Sequence, residues 1–278
     1  MINKTTDNLY EYFSHTWQLS NPRLLAQSKF TQNYVVMCYS ARYQSDVVLK
    51  ICPTMDIIHE QKALTYFNGN GVVKLLDYDI ENKGLLLAYV KPGTALKSLF
   101  PIHEAPTIEI VAQVIQKLHA HAQNAPLHDF QTVNQWLDLL KTHRSHKIPD
   151  ALIKKASRLA DKLLSSQRKV VLLHGDLHHE NILQNNNEWI AIDPFGLVGE
   201  IEYEVGAFIR NPVPELLDQP HPKDIIIFRI ERLSALLGFE KQRLIDWSFV
   251  QAVLAACWSD WVYYVTFAQL IEDLLERS

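Results

Sequence analysis

Glycine is scarce in this chain: 9 among 278 residues, roughly half the usual share of about 7%, and none before Gly69. A loop that cradles phosphates with glycine amides has no place ahead of that residue, which excludes a P-loop or dinucleotide fingerprint there. Cysteine is scarcer still. Cys38, Cys52 and Cys257 lie far apart with no C-x-x-C pair, so neither a disulfide framework nor a structural zinc site is expected, and a reducing cytoplasm fits. Long apolar runs are missing: the densest, Leu85 to Val90, falls far short of a membrane span, and the N-terminal residues lack a signal-peptide core. A basic excess is missing too. With 27 Lys+Arg against 31 Asp+Glu the net charge is -4, which argues against a nucleic-acid partner.

What is present suits a packed protein: 47% hydrophobic and 21% charged residues. The charge is uneven, with a net of +2 over residues 1–100 and -6 over the rest. The early runs Asn33–Ser40 and Asp46–Cys52 are β-branched and aromatic and read as an antiparallel hairpin, preceded by a short helix over 9–20. A helix over 54–67, capped by Thr54 or Asp56, then leads to strands at Val72–Asp77 and Leu85–Val90. Lys91-Pro92-Gly93 breaks the chain, which places a boundary between units at 1–91 and 92–278. Beyond it the apolar spacing turns helical over 107–123, 133–144, 150–166 and in two or three segments of 222–277. Short strands are expected at 169–173, 181–184 and 189–192. The class is α+β: a small antiparallel-sheet unit followed by a larger, mostly helical one.

The chemistry concentrates in His174-Gly175-Asp176-Leu177-His178-His179-Glu180-Asn181, followed by Ile190-Ala191-Ile192-Asp193. Apolar strands deliver Asp176, Asn181 and Asp193 at their ends, so two carboxylates and an amide converge. Phosphoryl transfer needs such a trio, one carboxylate for the acceptor hydroxyl and an Asn–Asp pair for Mg²⁺. His174 and His178 do not extend to a zinc motif, because position 183 is Leu183. A second signal is Lys50 inside an apolar strand. On the following helix Glu60 shares the stripe of Ile57, Leu64 and Phe67, where a lone carboxylate is costly, so Lys50 and Glu60 are expected to pair.

These residues carry a resemblance. HGDLHHENIL, AIDPFGLVGE and AFIRNP resemble the aminoglycoside phosphotransferase branch of the protein-kinase-like fold, nearest the streptomycin 6-phosphotransferase and hydroxyurea kinase group. The resemblance implies a two-lobed kinase using ATP or GTP with Mg²⁺. Asp176 would be the base, Asn181 and Asp193 the metal ligands, Lys50 and Glu60 the phosphate-holding pair, and the backbone of Ala88 and Val90 the contact for the nucleotide base. His174 would brace the loop, and His119, on an apolar helix face, reads as a core residue. Three positions depart from the pattern. Gln27–Asn33, where a phosphate-covering loop is expected, holds no glycine; Glu204 stands where the family usually has Asp; and the metal motif reads Asp-Pro-Phe-Gly.

For the acceptor, the resemblance implies an antibiotic of streptomycin type, a small cation. Residues 196–220 hold five acids against Arg210 alone, so Glu200 and Glu202, with Asp260 and Glu272 further on, are candidate acceptor ligands. Trp247, Trp258 and Trp261 would stack on a guanidinium or a sugar face. The same acids also read as a solvated surface and the same tryptophans as core. Two alternatives stay open: a metabolite kinase acting on a choline-, homoserine- or sugar-like substrate, and a nucleotide-binding module without catalysis.

Overall fold

Strand-forming sequence dominates the first ninety residues and builds the first of two units in a computed structural model, which describes residues 6–27, 33–52, 57–120, 127–143 and 147–275. The first unit comprises residues 1–93 and 184–190, the second 94–183 and 191–278. The division falls at Gly93/Thr94, and it returns the hairpin segment 184–190 to the first unit.

In the first unit, helix α1 (Thr6–Thr16) precedes strands β1 (Leu19–Gln27), β2 (Tyr34–Ser40) and β3 (Ser45–Ile51). Helix α2 (Ile58–Phe67) follows, then β4 (Leu75–Asp79) and β5 (Gly84–Ala88). The strands form one antiparallel sheet in the order β1-β2-β3-β5-β4. β3 lies at its centre, and Val47 to Ile51 are all buried. Because side chains alternate across a strand, Val47, Leu49 and Ile51 share one face and Val48 and Lys50 the other. The first face packs with Leu9, Phe13 and Trp17 of and beside α1, where Phe13 stacks on Trp17 at 4.6 Å. The second carries Lys50 toward α2.

β1 is the strand that composition hides. The run contains Asn21-Pro22-Arg23 yet pairs with β2 through two register shifts, and an edge strand at such irregularities tolerates proline. α2 begins at Ile58 with no side-chain cap, later than the sequence suggests; Thr54 and Asp56 lie outside the described residues, as do positions 28–32 of the glycine-free loop.

The second unit is mostly helical. Strand β6 (Pro92–Ala95) straddles the division at Gly93/Thr94 and leads to α3 (Glu104–His119), the short β7 (Gln131–Thr132), α4 (Val133–Thr142) and α5 (Asp150–Ser165). Next come β8 (Val170–Leu173), the hairpin strands β9 (Ile182–Asn185) and β10 (Glu188–Ala191), of which residues 184–190 count with the first unit, and β11 (Leu197–Glu200). A short helix α6 (Gly206–Arg210) and three long ones, α7 (Pro222–Leu237), α8 (Lys241–Ser259) and α9 (Val262–Leu275), complete it. β7, β11 and β8 form a small sheet, β11 central. α8 is buried from Arg243 to Cys257, so it forms the axis of the unit, with α5, α6 and α9 against it. Among the described residues no helix is long and apolar enough to cross a membrane.

Candidate active site

Within the first unit, Lys50 and Glu60 meet. Lys50 Nζ donates to Glu60 Oε1 at 2.8 Å and Oε2 at 2.9 Å, with both side chains largely removed from water. A symmetric bond of this kind fixes the ammonium at one place above the sheet. Ala88 ends β5, and its N–H donates to Lys74 O at 2.9 Å; buried Val90 follows two residues on.

Within the second unit, β8 runs out at Leu173 and a tight loop begins. Gly175 has φ +88°, and a Cβ there would lie 3.3 Å from Phe195 Cβ and 3.2 Å from Leu197 Cβ, so glycine serves both the turn and the close approach. The loop is held from beneath by Glu204, a fully buried carboxylate. It accepts from the His174 N–H at 2.8 Å and the Gly175 N–H at 3.0 Å, while His119 Nε2 lies 3.2 Å from Oε2. Burial alone would raise the Glu204 pKa; the His119 bond and charge, His174 and the loop amides outweigh it and hold the carboxyl below its usual value. The Glu that departs from the family's Asp therefore reaches the loop directly, and His119 is its partner inside the core.

His174 links this loop to the next strand. Burial holds its imidazole pKa below the usual value, so the ring is neutral at pH 7. Its Nδ1 accepts from the Asp176 N–H at 3.3 Å, which leaves the proton on Nε2, donating to Ile192 O at 2.8 Å. The Ile192 N–H in turn donates to Asn181 O at 2.9 Å, and Asn181 Nδ2 donates to Asp176 O at 3.0 Å. Asp176, Asn181 and the residue before Asp193 are thus tied by successive hydrogen bonds. Asp193 itself is exposed with φ +58°.

A side-chain nitrogen faces each oxygen of the Asp176 carboxylate. His178 Nε2 lies 3.4 Å from Oδ2, and Arg210 Nη2 3.8 Å from Oδ1. His178 Nδ1 accepts from the Glu180 N–H, so Nε2 carries a proton and faces the carboxylate. Burial would raise the Asp176 pKa; the His178 hydrogen bond and charge, Arg210 and His174 lower it below the ordinary carboxyl value. Arg210 is set by α8: its Nη1 donates to Gln251 Oε1 at 2.8 Å, and Gln251 Nε2 donates to Tyr203 O at 2.6 Å. Gly206 makes this possible, since a Cβ there would stand 2.4 Å from Gln251 Nε2.

Asp176 opens into a cavity of about 420 Å³, lined also by Gly175, Tyr203, Arg210, Gln251 and Tyr264 and walled by Trp136, Phe195 and Trp258. Sequence reasoning named Trp258 as a stacking residue, and used Phe195 and Arg210 only as parts of motifs. It missed Trp136 and Gln251, because each sits in an amphipathic or buried helix and reads as packing. Glu200, Glu202, Asp260 and Glu272 do not line the cavity. Glu200 is fully buried and engaged by the Arg168 N–H, Arg243 Nε and Trp247 Nε1, all within 2.9 Å. Glu202 is buried beside it, Glu272 pairs with Lys155 at 2.9 Å, and Asp260 ends α8 with His143 and Lys147 within 3.9 Å. Trp247 is core, and Trp261 is exposed outside the cavity lining.

Asn181 and Asp193 supply oxygen donors, which suit a hard cation. Asn181 turns its Nδ2 to Asp176 O, leaving its amide oxygen as the donor for an ion. Among the described residues no three His, Cys, Asp or Glu side chains cluster as a metal site, so an ion held by this pair would complete its shell with phosphate and water oxygens.

Known proteins resemble this chain at the level of family, sequence and fold. A family model described as aminoglycoside/hydroxyurea antibiotic resistance kinase matches residues 16–262. The streptomycin 3''-kinase of Klebsiella pneumoniae is 31% identical over 219 residues, 76% of this chain and 79% of that protein. The hydroxyurea phosphotransferase of Kitasatospora aureofaciens is 25% identical over 221 residues, where the match spans 77% of this chain but 62% of the relative. Among solved structures, a choline/ethanolamine kinase family protein from Mesorhizobium loti superposes with a TM-score of 0.70 at 14% identity, covering 96% and 95% of the two chains. Aminoglycoside phosphotransferase APH(4)-Ia gives 0.67 at 12%, covering 98% and 99%. The fold is that of these kinases, a small antiparallel-sheet unit and a larger helical one.

Proposed function

The chain belongs to the aminoglycoside/hydroxyurea antibiotic resistance kinase family and is a small-molecule phosphotransferase; from that premise we propose that it moves the γ-phosphoryl group of ATP or GTP to a hydroxyl of a streptomycin-type aminoglycoside. The observation that supports this reading best is the placement of Asp176, a carboxylate kept ionised by the His178 hydrogen bond and the Arg210 charge, inside an aromatic-walled cavity of drug size.

The first unit is then the nucleotide lobe. Lys50, oriented by Glu60, meets the phosphates, and the backbone at Ala88 and Val90 meets the base. The second unit binds the acceptor. Asp176 takes the proton of the acceptor hydroxyl while that oxygen bonds to phosphorus. The bond from phosphorus to the bridging oxygen breaks, and its electron pair leaves with the nucleoside diphosphate. Asn181 and Asp193 would hold Mg²⁺, which when bound neutralises phosphate charge. His174 and Glu204 keep the loop in register.

Full-length protein incubated with ATP, Mg²⁺ and, in turn, streptomycin, other aminoglycosides, hydroxyurea and choline tests the reading through nucleoside diphosphate release. Strong stimulation by streptomycin is expected. Stimulation by choline alone would overturn the antibiotic in favour of a metabolite kinase, a reading favoured by the aromatic walls, which also suit a quaternary ammonium.

A further inference from the structure

α8 is buried for most of its length, and its final turn emerges from the core at Trp258, which is 51% exposed. Phe195, two residues beyond Asp193, is 46% exposed. Both rings line the cavity that holds Asp176, and the half-buried Trp136 of α4 stands against each, its ring centre 5.4 Å from Phe195 and 4.9 Å from Trp258. Both contacts are edge to face at 85°. A folded chain gains by covering rings of this size, each worth roughly 150–250 Å² of apolar contact, so three gathered at an open cavity mark a binding surface. Trp136 is fixed there: its Nε1 donates to Gln131 Oε1 at 2.9 Å.

The charges of the cavity decide what that surface takes. Asp176 and Arg210 are its anion and its cation, and they stand 3.8 Å apart as an ion pair. Among the described residues no further carboxylate lines the space, and the four acids expected there are placed elsewhere. A primary ammonium entering would shed a strong hydration shell and find no anion of its own. A guanidinium is planar, delocalised and weakly hydrated, and it stacks flat on aromatic faces.

We propose that Trp136, Phe195 and Trp258 form the acceptor-recognition surface, and that it selects acceptors bearing a planar guanidinium-type group over those bearing only primary ammonium groups. The inference rests on the reading of Asp176 as the base of a phosphotransferase, which places the acceptor in this cavity. Recognition is by stacking and not by an acidic cage. It also ties the acceptor to the metal-side segment, because Phe195 sits two residues from Asp193 in Asp-Pro-Phe-Gly.

The test has two arms on the full-length protein. Saturation-transfer NMR with methylguanidinium, without nucleotide or acceptor, should show saturable binding in the millimolar range. Trp258→Ala should weaken it at least tenfold, Trp258→Phe should largely preserve it, and methylammonium at equal ionic strength should not saturate. Equal behaviour of the two probes, or an unchanged Trp258→Ala protein, overturns the inference whatever the enzyme's activity. In steady-state kinetics with streptomycin, Trp258→Ala should raise the acceptor KM at least tenfold, with kcat and the nucleotide KM moving less than threefold. A fall in kcat at constant acceptor KM contradicts a recognition role. Wild-type protein that binds methylguanidinium yet phosphorylates nothing would sink the proposed function and leave the aromatic surface standing.

Discussion

Glu204→Gln isolates the support of the reactive loop. The native carboxylate accepts from two loop amides and meets His119, with no exposure to water. Glutamine keeps the shape and one acceptor oxygen, but it turns an amide NH₂ toward an N–H and removes the charge facing His119. Breaking one partner of a buried pair costs about 3–5 kcal/mol, and a hydrogen bond to a charged group about 1.5–3 kcal/mol. With one acceptor retained, a loss near the lower bound, about 3 kcal/mol, is expected. At roughly 2–4 °C per kcal/mol for a chain of this size, the melting temperature should fall by about 6–12 °C. The pH dependence has a definite sign. The folded Glu204 pKa lies below the unfolded value, so its stabilisation is complete above the ordinary glutamate pKa and is lost as pH falls through the lower folded value. The gap between wild type and variant should therefore be full at pH 7 and shrink below about pH 4. Because the His174 and Gly175 amides lead directly into Asp176, kcat should fall about tenfold to a hundredfold. Differential scanning calorimetry at several pH values and steady-state kinetics read both. A variant melting within about 2 °C of wild type with kcat within twofold would refute the argument.

Other substitutions separate roles. Lys50→Met leaves Glu60 without its ammonium and should raise the nucleotide KM about tenfold or more, with the acceptor KM little changed; isothermal titration with ADP gives the same readout without turnover. Glu200→Gln should lower the melting temperature through its bonds to Arg243 and Trp247 while the acceptor KM stays within about twofold, and a reversed pattern would return Glu200 to the acceptor site. Gly206→Ala drives a methyl group into Gln251 and should cost about 1–3 kcal/mol and reduce kcat, since Gln251 fixes Arg210 beside Asp176.

The trio was legible because strand, loop and strand follow one another so closely: apolar runs end at Asp176 and Asp193, and local geometry alone brings them near Asn181. The Lys50–Glu60 pair was legible for a different reason, the cost of a lone carboxylate on an apolar stripe. β1 was not, since Pro22 and two register shifts erase its alternation. The acceptor surface was legible only in part. Trp136, Phe195 and Trp258 lie on three elements far apart in the chain, and only tertiary packing brings them together. The acids failed as a guide for a related reason. Composition counts Glu200 as negative charge near the motif, while the fold spends it on Arg243 and Trp247.

Asp176 is proposed to drive phosphoryl transfer to a streptomycin-type hydroxyl. Mass spectrometry of streptomycin after incubation with the protein, ATP and Mg²⁺ tests it most directly, with Asp176→Asn run in parallel. Wild type should yield an acceptor carrying one added phosphoryl group, and Asp176→Asn a rate at least about a hundredfold lower despite unchanged ADP affinity. Phosphorylated streptomycin formed equally fast by the variant would contradict the role of Asp176, and an unmodified acceptor with active wild-type protein would contradict the substrate.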